Sequence, residues 1–347
     1  MKFNPKNLIY FQNGSIGDFL MTIFFLENIY LNNNSIKLNV IVSKNEKLLL
    51  QFLEKYPYIN LILVNKRSFK GLLGVFKLLK FLFSSNLVIT APTPGILSLW
   101  VKILAKKISF LSKSELVGFE DGQKINKFIY SKLLNYNTNV IYPEFLKEVI
   151  KKIGFKIEKE TPELKYISNE SVLKKLNLEE RNYIVLHPIA TTKGRSFKEK
   201  EIIDLIKVIK GISPHKKIIL TGGNADKDIL NIISMLFEND VFVMISPKIS
   251  ELCTIINGAK LFIGVDTGTT HIASFLQKKS LIVAINGTPN WLPYYNPNAR
   301  ILYSVDGCIH SLYEGREHLE GCRGERLRCL GDVPLEVVEK TLKELLI

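Results

Sequence analysis

Short apolar segments alternate with amphipathic segments along the chain, and this alternation predicts an α/β protein. In the first half, apolar runs typical of buried strands are followed by stretches whose apolar residues recur at helical spacing. The predicted strands are 8–11, 38–42, 61–64 and 87–90, and the predicted helices are 19–30, 46–55, 72–83 and 96–107. Repeated strand–helix–strand units imply a parallel, doubly wound sheet.

The second half repeats the same alternation after a change in composition. Residues 135–165 contain two prolines and a charged run and resemble a join between domains. Beyond the join, strands are predicted at 183–186, 217–220, 241–245, 261–263 and 281–285, and helices at 201–210, 250–257 and 334–346. A chain of 347 residues exceeds the usual size of one hydrophobic core. We therefore expect domains at 1–165 and 166–332 and a C-terminal helix within 333–347.

The charge of the chain favours an anionic partner. Lys and Arg number 47 against 33 Asp and Glu, a formal net charge of +14. Such a balance suits nucleic acid, a phosphorylated substrate or an acidic membrane surface. The lysines are spread over the whole length without a basic arm, and no nucleic-acid-binding motif is present, which weakens the nucleic-acid hypothesis.

Two segments leave a membrane contact open. The N-terminal residues lack the apolar run of a signal peptide, and no uncharged apolar stretch of about 18 residues predicts a spanning helix. Segments 72–83 and 96–107 are nevertheless very apolar and carry lysines. They fit either buried helices with lysines at the solvent edge or a surface contact with lysines on lipid headgroups. The lysines in question are Lys77, Lys80, Lys102, Lys106 and Lys107.

The cysteines leave a zinc site open as an alternative to free thiols. Cys308, Cys322 and Cys329 lie near His310 and His318, but their spacing is not that of a zinc ribbon. Without a secretory signal, we expect reduced thiols in a cytoplasmic protein.

One polar loop stands out in the first half. The strand at 8–11 runs into Gly14, Ser15, Gly17 and Asp18, and a helix follows. The glycine spacing is not that of a dinucleotide-binding fingerprint. Asp18 therefore either caps the helix or supplies a carboxylate for chemistry at the end of a strand.

Four polar, glycine-bearing loops follow strands of the second half, at 187–197, 221–226, 264–271 and 286–291. Ligands of parallel α/β sheets bind at the carboxyl ends of strands. Lys193, Arg195 and the helix start at 268–270 suit a diphosphate, and Asp226 suits a ribose hydroxyl. The loops together predict a nucleotide-diphosphate ligand, although 264–271 alone also fits an ordinary turn capped by threonine.

The ordered motifs resemble glycosyltransferase family 9, the ADP-heptose:lipopolysaccharide heptosyltransferases. The matching blocks are GSIGDFLMT at 14–22, HPIATTKGRSF at 187–197, LTGGNAD at 220–226, GVDTGTTHIAS at 264–274 and RCLGDVPLEVVEKTLKEL at 328–345. Three residues depart from the family pattern. Ile189 replaces a glycine, and Arg195 and Phe197 stand where Lys and Trp are usual.

The resemblance implies a GT-B architecture, in which two Rossmann-like domains face each other across a cleft. The N-terminal domain would hold the acceptor and the C-terminal domain the sugar nucleotide, with the C-terminal helix crossing back. The implied reaction is an inverting transfer of heptose from ADP-heptose to an anionic, lipid-linked lipopolysaccharide core acceptor of the lipid A–Kdo type. The enzyme would be peripherally associated with the inner membrane, at its cytoplasmic face.

The resemblance also implies residue roles. Asp18 would be the catalytic base, on an acceptor-side loop with Gly14, Ser15 and Gly17. No metal ligands and no required cofactor are expected, although Mg²⁺ assistance through Asp266 stays open, and His271 is either a donor-orienting or a structural residue. The expected donor-binding residues are Thr192, Lys193, Arg195, Gly222, Asp226, Asp266, Thr267, Gly268, Thr269 and His271.

Two alternatives to heptosyl transfer remain. The departures at Arg195 and Phe197 favour a family member that uses another nucleotide sugar, in capsule or O-antigen synthesis. A non-catalytic nucleotide-binding scaffold would be favoured if Asp18 faced away from the ligand.

Overall fold

The computed structural model of this chain forms two compact units, Met1–Pro162 and Glu163–Ile347. The division lies close to the boundary expected near residue 165. The residues that the structure describes are 5–12, 14–64, 86–91, 99–135, 137, 139–191, 195–284, 289–303, 333 and 335–346.

The first unit contains a six-stranded sheet whose strands all pair in parallel. The strands lie in the order β3-β2-β1-β4-β5-β6, so the strand order reverses between β1 and β4. This is a Rossmann-like order, and such a reversal opens a crevice at the carboxyl ends of the two strands. The strands are β1 Asn7–Gln12, β2 Lys37–Val42, β3 Ile59–Leu63, β4 Leu87–Thr90, β5 Glu115–Phe119 and β6 Lys132–Leu134.

Helices cover this sheet with apolar faces. The expected helix at 46–55 is shorter, because α2 is followed by a single 3-10 turn at Leu53–Lys55. Pro57 disfavours helical backbone at Tyr56, which agrees with the end of the 3-10 turn at Lys55. Helix α5 lies within residues 135–165, where we expected the join between domains. The sequence analysis did not predict β5, α4 or β6. The helices are α1 Ile16–Asn32, α2 Glu46–Leu50, α3 Leu99–Ser112, α4 Asn126–Ile129 and α5 Tyr142–Lys152.

The second unit repeats the topology of the first. Its six strands are parallel and lie in the order β12-β11-β10-β7-β8-β9, with the reversal between β7 and β10. The strands are β7 Tyr183–His187, β8 Lys217–Gly222, β9 Val241–Ile245, β10 Leu261–Val265, β11 Ser280–Ala284 and β12 Ala299–Tyr303. The helices are α6 Glu170–Lys175, α7 Glu199–Ile212, α8 Lys227–Met235, α9 Ile249–Gly258, α10 Gly268–Phe275 and α11 Leu335–Leu346.

The C-terminal helix α11 packs within the second unit. Val338, Leu342 and Leu345 are buried in the same hydrophobic cluster as Leu205 and Ile209 of α7. The sequence analysis expected this helix to cross back to the first domain. Its apolar residues, spaced three and four apart, form one face, and periodicity alone does not specify which surface that face covers.

Helix α3 corrects one interpretation of the lysines. The side chain of Lys102 is 1% exposed, and its Nζ lies 2.6 Å from Asp121 Oδ2, 2.8 Å from Gln123 Oε1 and 2.7 Å from Asn126 Oδ1. Lys102 is therefore a buried, fully paired cation, whereas we expected it at the solvent edge or on lipid headgroups.

The other expected membrane-contact segment, 72–83, lies outside the described residues, as do positions 96–98. Within the described part of the chain, no helix combines the length and the apolar character needed to cross a membrane.

The position of α11 predicts the effect of truncating its buried face. We expect Leu342→Ala to lower the free energy of unfolding by about 2–5 kcal/mol, because Leu342 is fully buried and the variant leaves a cavity. Leu335→Ala is the control, since Leu335 is 41% exposed on the same helix. Chemical denaturation measures both, and equal stability of the two variants would contradict the packing of α11 on α7.

Candidate functional site

The loops that the sequence singled out in the second unit follow four neighbouring strands. These strands are β11, β10, β7 and β8, which lie side by side across the strand reversal. Because all strands are parallel, their carboxyl ends meet at one edge of the sheet, where ligands of such folds bind. Residues 285–288, in the loop after β11, lie outside the described residues.

His187 ends β7 and links it to the next strand. Its Nδ1 lies 2.9 Å from Thr221 Oγ1 at the end of β8. Burial lowers the pKa of His187 to about 4, against the smaller opposing effect of the nearby Asp226 carboxylate. The imidazole is therefore neutral near pH 7.

The loop after β7 is closed on itself around Ser196. The Ser196 hydroxyl accepts a hydrogen bond from the Ala190 N–H at 2.9 Å and donates one to the Ala190 carbonyl at 3.2 Å. The Phe197 N–H donates to the Pro188 carbonyl at 3.0 Å. These bonds hold the backbone on both sides of Arg195. Thr192 and Lys193, two expected donor-binding residues, lie outside the described residues.

An ion pair joins the loops at the strand reversal. Arg195 Nη1 donates to Asp266 Oδ2 at 3.2 Å, which connects the loop after β7 to the loop after β10. Asp266 is buried, whereas the Arg195 side chain is 26% exposed. The guanidinium therefore neutralises a buried carboxylate and remains accessible to a ligand. The sequence analysis expected both residues at the site and did not predict their bond.

Helix α10 begins beside this pair. Thr267 is its N-cap and accepts from the Thr270 N–H at 3.5 Å, while Thr270 Oγ1 donates to the Val265 carbonyl at 2.5 Å. The N–H groups of Gly268 and Thr269 lie in the first turn, where backbone donors have no intrahelical acceptor. Threonine capping therefore does not exclude an anion site at this helix start, where the helix dipole favours negative charge.

His271 is held from within the protein. Its Nδ1 lies 3.0 Å from the Tyr295 hydroxyl, and the two rings are nearly parallel at 12°. Burial lowers the pKa of His271 and raises that of Tyr295. Both are therefore neutral near pH 7. The bond at Nδ1 fulfils the structural role considered for His271 and leaves Nε2 as the atom for a ligand.

Asp226 lies in the turn that follows β8. Its Oδ2 accepts from the Gly223 N–H at 2.8 Å and so closes a 3-10 turn at Asn224–Asp226. Gly222 leaves room for this turn, because a Cβ there would lie 2.6 Å from Leu230 Cδ1 and 3.1 Å from Asp226 Cβ. The turn presents a partly exposed carboxylate at the same edge as His187.

Asp18 lies at the carboxyl end of β1 in the first unit. Ser15 is the N-cap of α1, and its hydroxyl donates to Asp18 Oδ2 at 2.6 Å. Asp18 is therefore oriented by the cap and is not itself the capping residue. Burial raises the pKa of Asp18, against the opposing effects of the Ser15 hydrogen bond and the Lys44 charge. A carboxylate with a raised pKa binds a proton more readily.

The turn before Asp18 depends on glycine. Gly14 has φ +86°, and a Cβ there would lie 2.7 Å from the Lys44 carbonyl oxygen. Asn45 Nδ2 donates to the Gly14 carbonyl at 2.7 Å, which fixes the turn from the next strand–helix loop. Gly17 lies in the first turn of α1 and is partly exposed.

One residue of the site carried no recognisable signal, because Tyr295 lies in an irregular segment without a motif. Thr221, Ser196 and Thr270 lie within the predicted loops, but their hydrogen-bond partners were not predicted. No cluster of three or more metal-ligating side chains occurs among the described residues. Cys308, Cys322, Cys329, His310 and His318 lie outside them.

Comparisons with known proteins identify the family and the fold. A family model described as glycosyltransferase family 9 (heptosyltransferase) matches residues 93–318. The fold is similar to that of the glycosyl transferase family 9 protein from Veillonella parvula DSM 2008, at 16% identity over 100% of this chain and 98% of that chain, with a TM-score of 0.73. No curated protein sequence matches the chain.

Two solved heptosyltransferases share the fold. E. coli ADP-heptose lps heptosyltransferase II has 13% identity, a TM-score of 0.70 and 98% coverage of both chains. E. coli heptosyltransferase WaaC with ADP-2-deoxy-2-fluoro heptose has 16% identity and a TM-score of 0.66, covering 97% of this chain and 99% of that chain. The predicted fold class, two doubly wound α/β units of the GT-B type, is confirmed.

The low pKa of His187 predicts a stability that depends on pH. As the pH falls from 6.5 towards 4, the unfolded chain binds a proton at this histidine that the folded chain excludes. Stability is therefore lost, by up to about 1.4 kcal/mol per pH unit. We expect His187→Gln to show a shallower loss over that window than the wild type or His215→Gln, a control at an exposed histidine. Urea unfolding at several pH values measures this, and identical slopes for all three proteins would refute it.

Proposed function

This chain belongs to glycosyltransferase family 9, whose model matches residues 93–318, and from that premise we propose that it transfers heptose from ADP-heptose to a lipopolysaccharide core acceptor. The observation that carries the proposal is the linked set of groups at the strand reversal of the second unit. A cation, a helix N-terminus and two neutral histidines lie there on adjacent loops.

These groups suit the diphosphate of a sugar nucleotide. Arg195 supplies a partly exposed guanidinium, and the first turn of α10 supplies N–H donors. Donors that are fixed before the reaction stabilise charge as it develops on a leaving group. Lys193, Thr192, Gly222, Thr267, Gly268 and Thr269 complete the proposed donor site, with Asp226 on the ribose hydroxyls.

ADP is the proposed nucleotide because the related structures point to it. E. coli WaaC, which shares the fold, was solved with ADP and with ADP-2-deoxy-2-fluoro heptose. Arg195 and Phe197 replace residues that are usual in the family, so a different nucleotide sugar is the second candidate.

Asp18 is the proposed base of a single displacement with inversion. It takes the proton of the acceptor hydroxyl as that oxygen forms a bond to the anomeric carbon. The bond from the anomeric carbon to the diphosphate oxygen breaks at the same time, and the electron pair leaves with ADP. The raised pKa of Asp18 makes it a stronger base, and the Ser15 hydrogen bond fixes its orientation.

We propose that the transfer needs no metal ion. Asp266 is the carboxylate placed to bind Mg²⁺ near the diphosphate, but Arg195 already occupies its Oδ2. The same guanidinium serves as the counter-charge for the diphosphate.

The acceptor is proposed to bind in the first unit, beside Gly14, Ser15, Gly17 and Asp18. A lipid-linked acceptor is membrane-bound, which places the enzyme at the cytoplasmic face of the inner membrane as a peripheral protein.

Calorimetry with ADP, GDP and UDP tests the donor proposal. We expect ADP to bind the wild type, and Asp18→Asn to bind it equally well while kcat falls by about 10²–10⁴, because the variant loses only the base. Asp228→Asn is the matched control, since Asp228 also lies in the first turn of a helix. Binding of UDP or GDP in place of ADP would exclude ADP-heptose as the donor. If none of the three nucleotides binds, the proposed donor site is wrong.

Arg195 tests the arrangement of the diphosphate site. We expect Arg195→Ala to weaken ADP binding about ten- to a hundredfold, the usual loss for a charge-assisted hydrogen bond, and EDTA to leave wild-type binding unchanged. Arg195→Lys should retain more affinity than Arg195→Ala. Lys198→Ala, in the same loop with a side chain that is 45% exposed, is the control. A loss of ADP binding on adding EDTA would show that a metal carries the charge.

A further inference from the structure

Helices α3 and α4 of the first unit expose large apolar side chains to solvent. Phe110 is 77% exposed and Phe128 is 83% exposed, and Leu111, Ile103 and Ile125 are 52%, 43% and 40% exposed. We refer to these five residues as the α3–α4 face. Single exposed apolar residues are ordinary, but two nearly fully exposed phenylalanines on adjacent short helices usually mark a binding surface.

The two helices are fastened to each other beneath this face. Lys102 of α3 donates from Nζ to Asn126 Oδ1 of α4 at 2.7 Å and to Asp121 Oδ2 at 2.6 Å. Ile108 of α3 and Ile129 of α4 lie in one buried cluster. Removing one partner from a buried ion pair is strongly destabilising, so this network holds the relative position of α3 and α4. The exposed phenylalanines are therefore presented by a fixed scaffold.

Lysines surround the apolar residues. Along α3, the exposed residues recur at helical spacing, so that Lys106 and Lys107 lie between Ile103 and Phe110 on one side of the helix. An open groove beside Phe110 is lined by Lys106, Ser109, Phe110, Leu111, Lys113, Ser114 and Ser131. The exposed lysines of this region are Lys106, Lys107, Lys113, Lys124 and Lys127.

We propose that the α3–α4 face docks the protein on a bilayer surface that contains anionic lipid. The phenylalanines and leucine enter the interface between headgroups and acyl chains, and the lysines contact the lipid phosphates. This extends the membrane location proposed above, and it is tested without donor or acceptor.

Charge complementarity selects this occupant. If a second copy of the chain covered the face symmetrically, its own five lysines would come to lie against those of the first copy, and like charges in an interface are unfavourable. An anionic membrane supplies the opposite charge over a wide area and an apolar layer beneath it. The lysines then lie against lipid phosphates, and the apolar side chains lie against the acyl chains.

Vesicle co-sedimentation of the full chain tests the proposal, with phosphatidylcholine vesicles compared with vesicles containing phosphatidylglycerol. We expect binding to the anionic vesicles only. The double variants Phe110→Ser with Phe128→Ser, and Lys106→Glu with Lys107→Glu, should each weaken that binding at least about tenfold. Circular dichroism and thermal unfolding of each variant should match the wild type, which confirms that the variants are folded and keeps this result separate from the proposed transfer.

A matched control uses another exposed apolar site. Ile232 and Met235 on α8 of the second unit are 55% and 77% exposed. Ile232→Ser with Met235→Ser should bind vesicles like the wild type. Equal vesicle binding by the α3–α4 variants and the wild type would overturn the proposal. So would self-association of the wild type without vesicles that the Phe110 and Phe128 substitutions abolish, since the face would then be a protein interface.

Discussion

The ion pair between Arg195 and Asp266 is the interaction on which the second unit's site depends. β7 and β10 are neighbours in the sheet, but the strand order reverses between them, so their following loops diverge. The pair spans this divergence at 3.2 Å and holds the two loops together. Without the guanidinium, the buried Asp266 carboxylate would place an unpaired negative charge where a diphosphate is proposed to bind, and that charge would oppose it.

The groups around the pair are neutral or donate hydrogen bonds, which suits an anion. Burial keeps His187 and His271 uncharged, so both face an anion as neutral hydrogen-bonding groups and Arg195 supplies the positive charge. Tyr295 holds Nδ1 of His271, and the α10 N-cap uses one of the first N–H groups of the helix while others remain. The result is a site whose donors are oriented before a ligand arrives, which reduces the reorganisation required during a reaction.

The strand-end loops of the candidate site could be predicted from the sequence because their signals are local. Glycines, hydroxyl residues and charged residues interrupt apolar strands at the strand ends, and a parallel sheet brings those ends together wherever the loops lie along the chain. The partners within the site were not predictable in the same way. Tyr295 is 24 residues beyond His271 and lies in no motif. Periodicity predicted the existence of α11 but gave no indication that α7 covers its apolar face. The misassigned residue Lys102 shows the same limit, because its burial depends on Asp121, Gln123 and Asn126, which a helical pattern does not reveal.

The two units use the same strand order but place different chemistry at the reversal. In the first unit, the carboxyl end of β1 carries Asp18, whose pKa is raised by burial and whose Oδ2 is oriented by the Ser15 hydroxyl. In the second unit, the corresponding edge carries a cation, backbone donors and neutral histidines. A proton acceptor and an anion site are the two components that the proposed inverting displacement requires. The groups that shift the pKa of Asp18 lie in the first unit, and the proposed contacts to the leaving group lie in the second. If the proposal holds, changes at Arg195 or Phe197 alter the choice of donor and leave the groups around Asp18 unchanged.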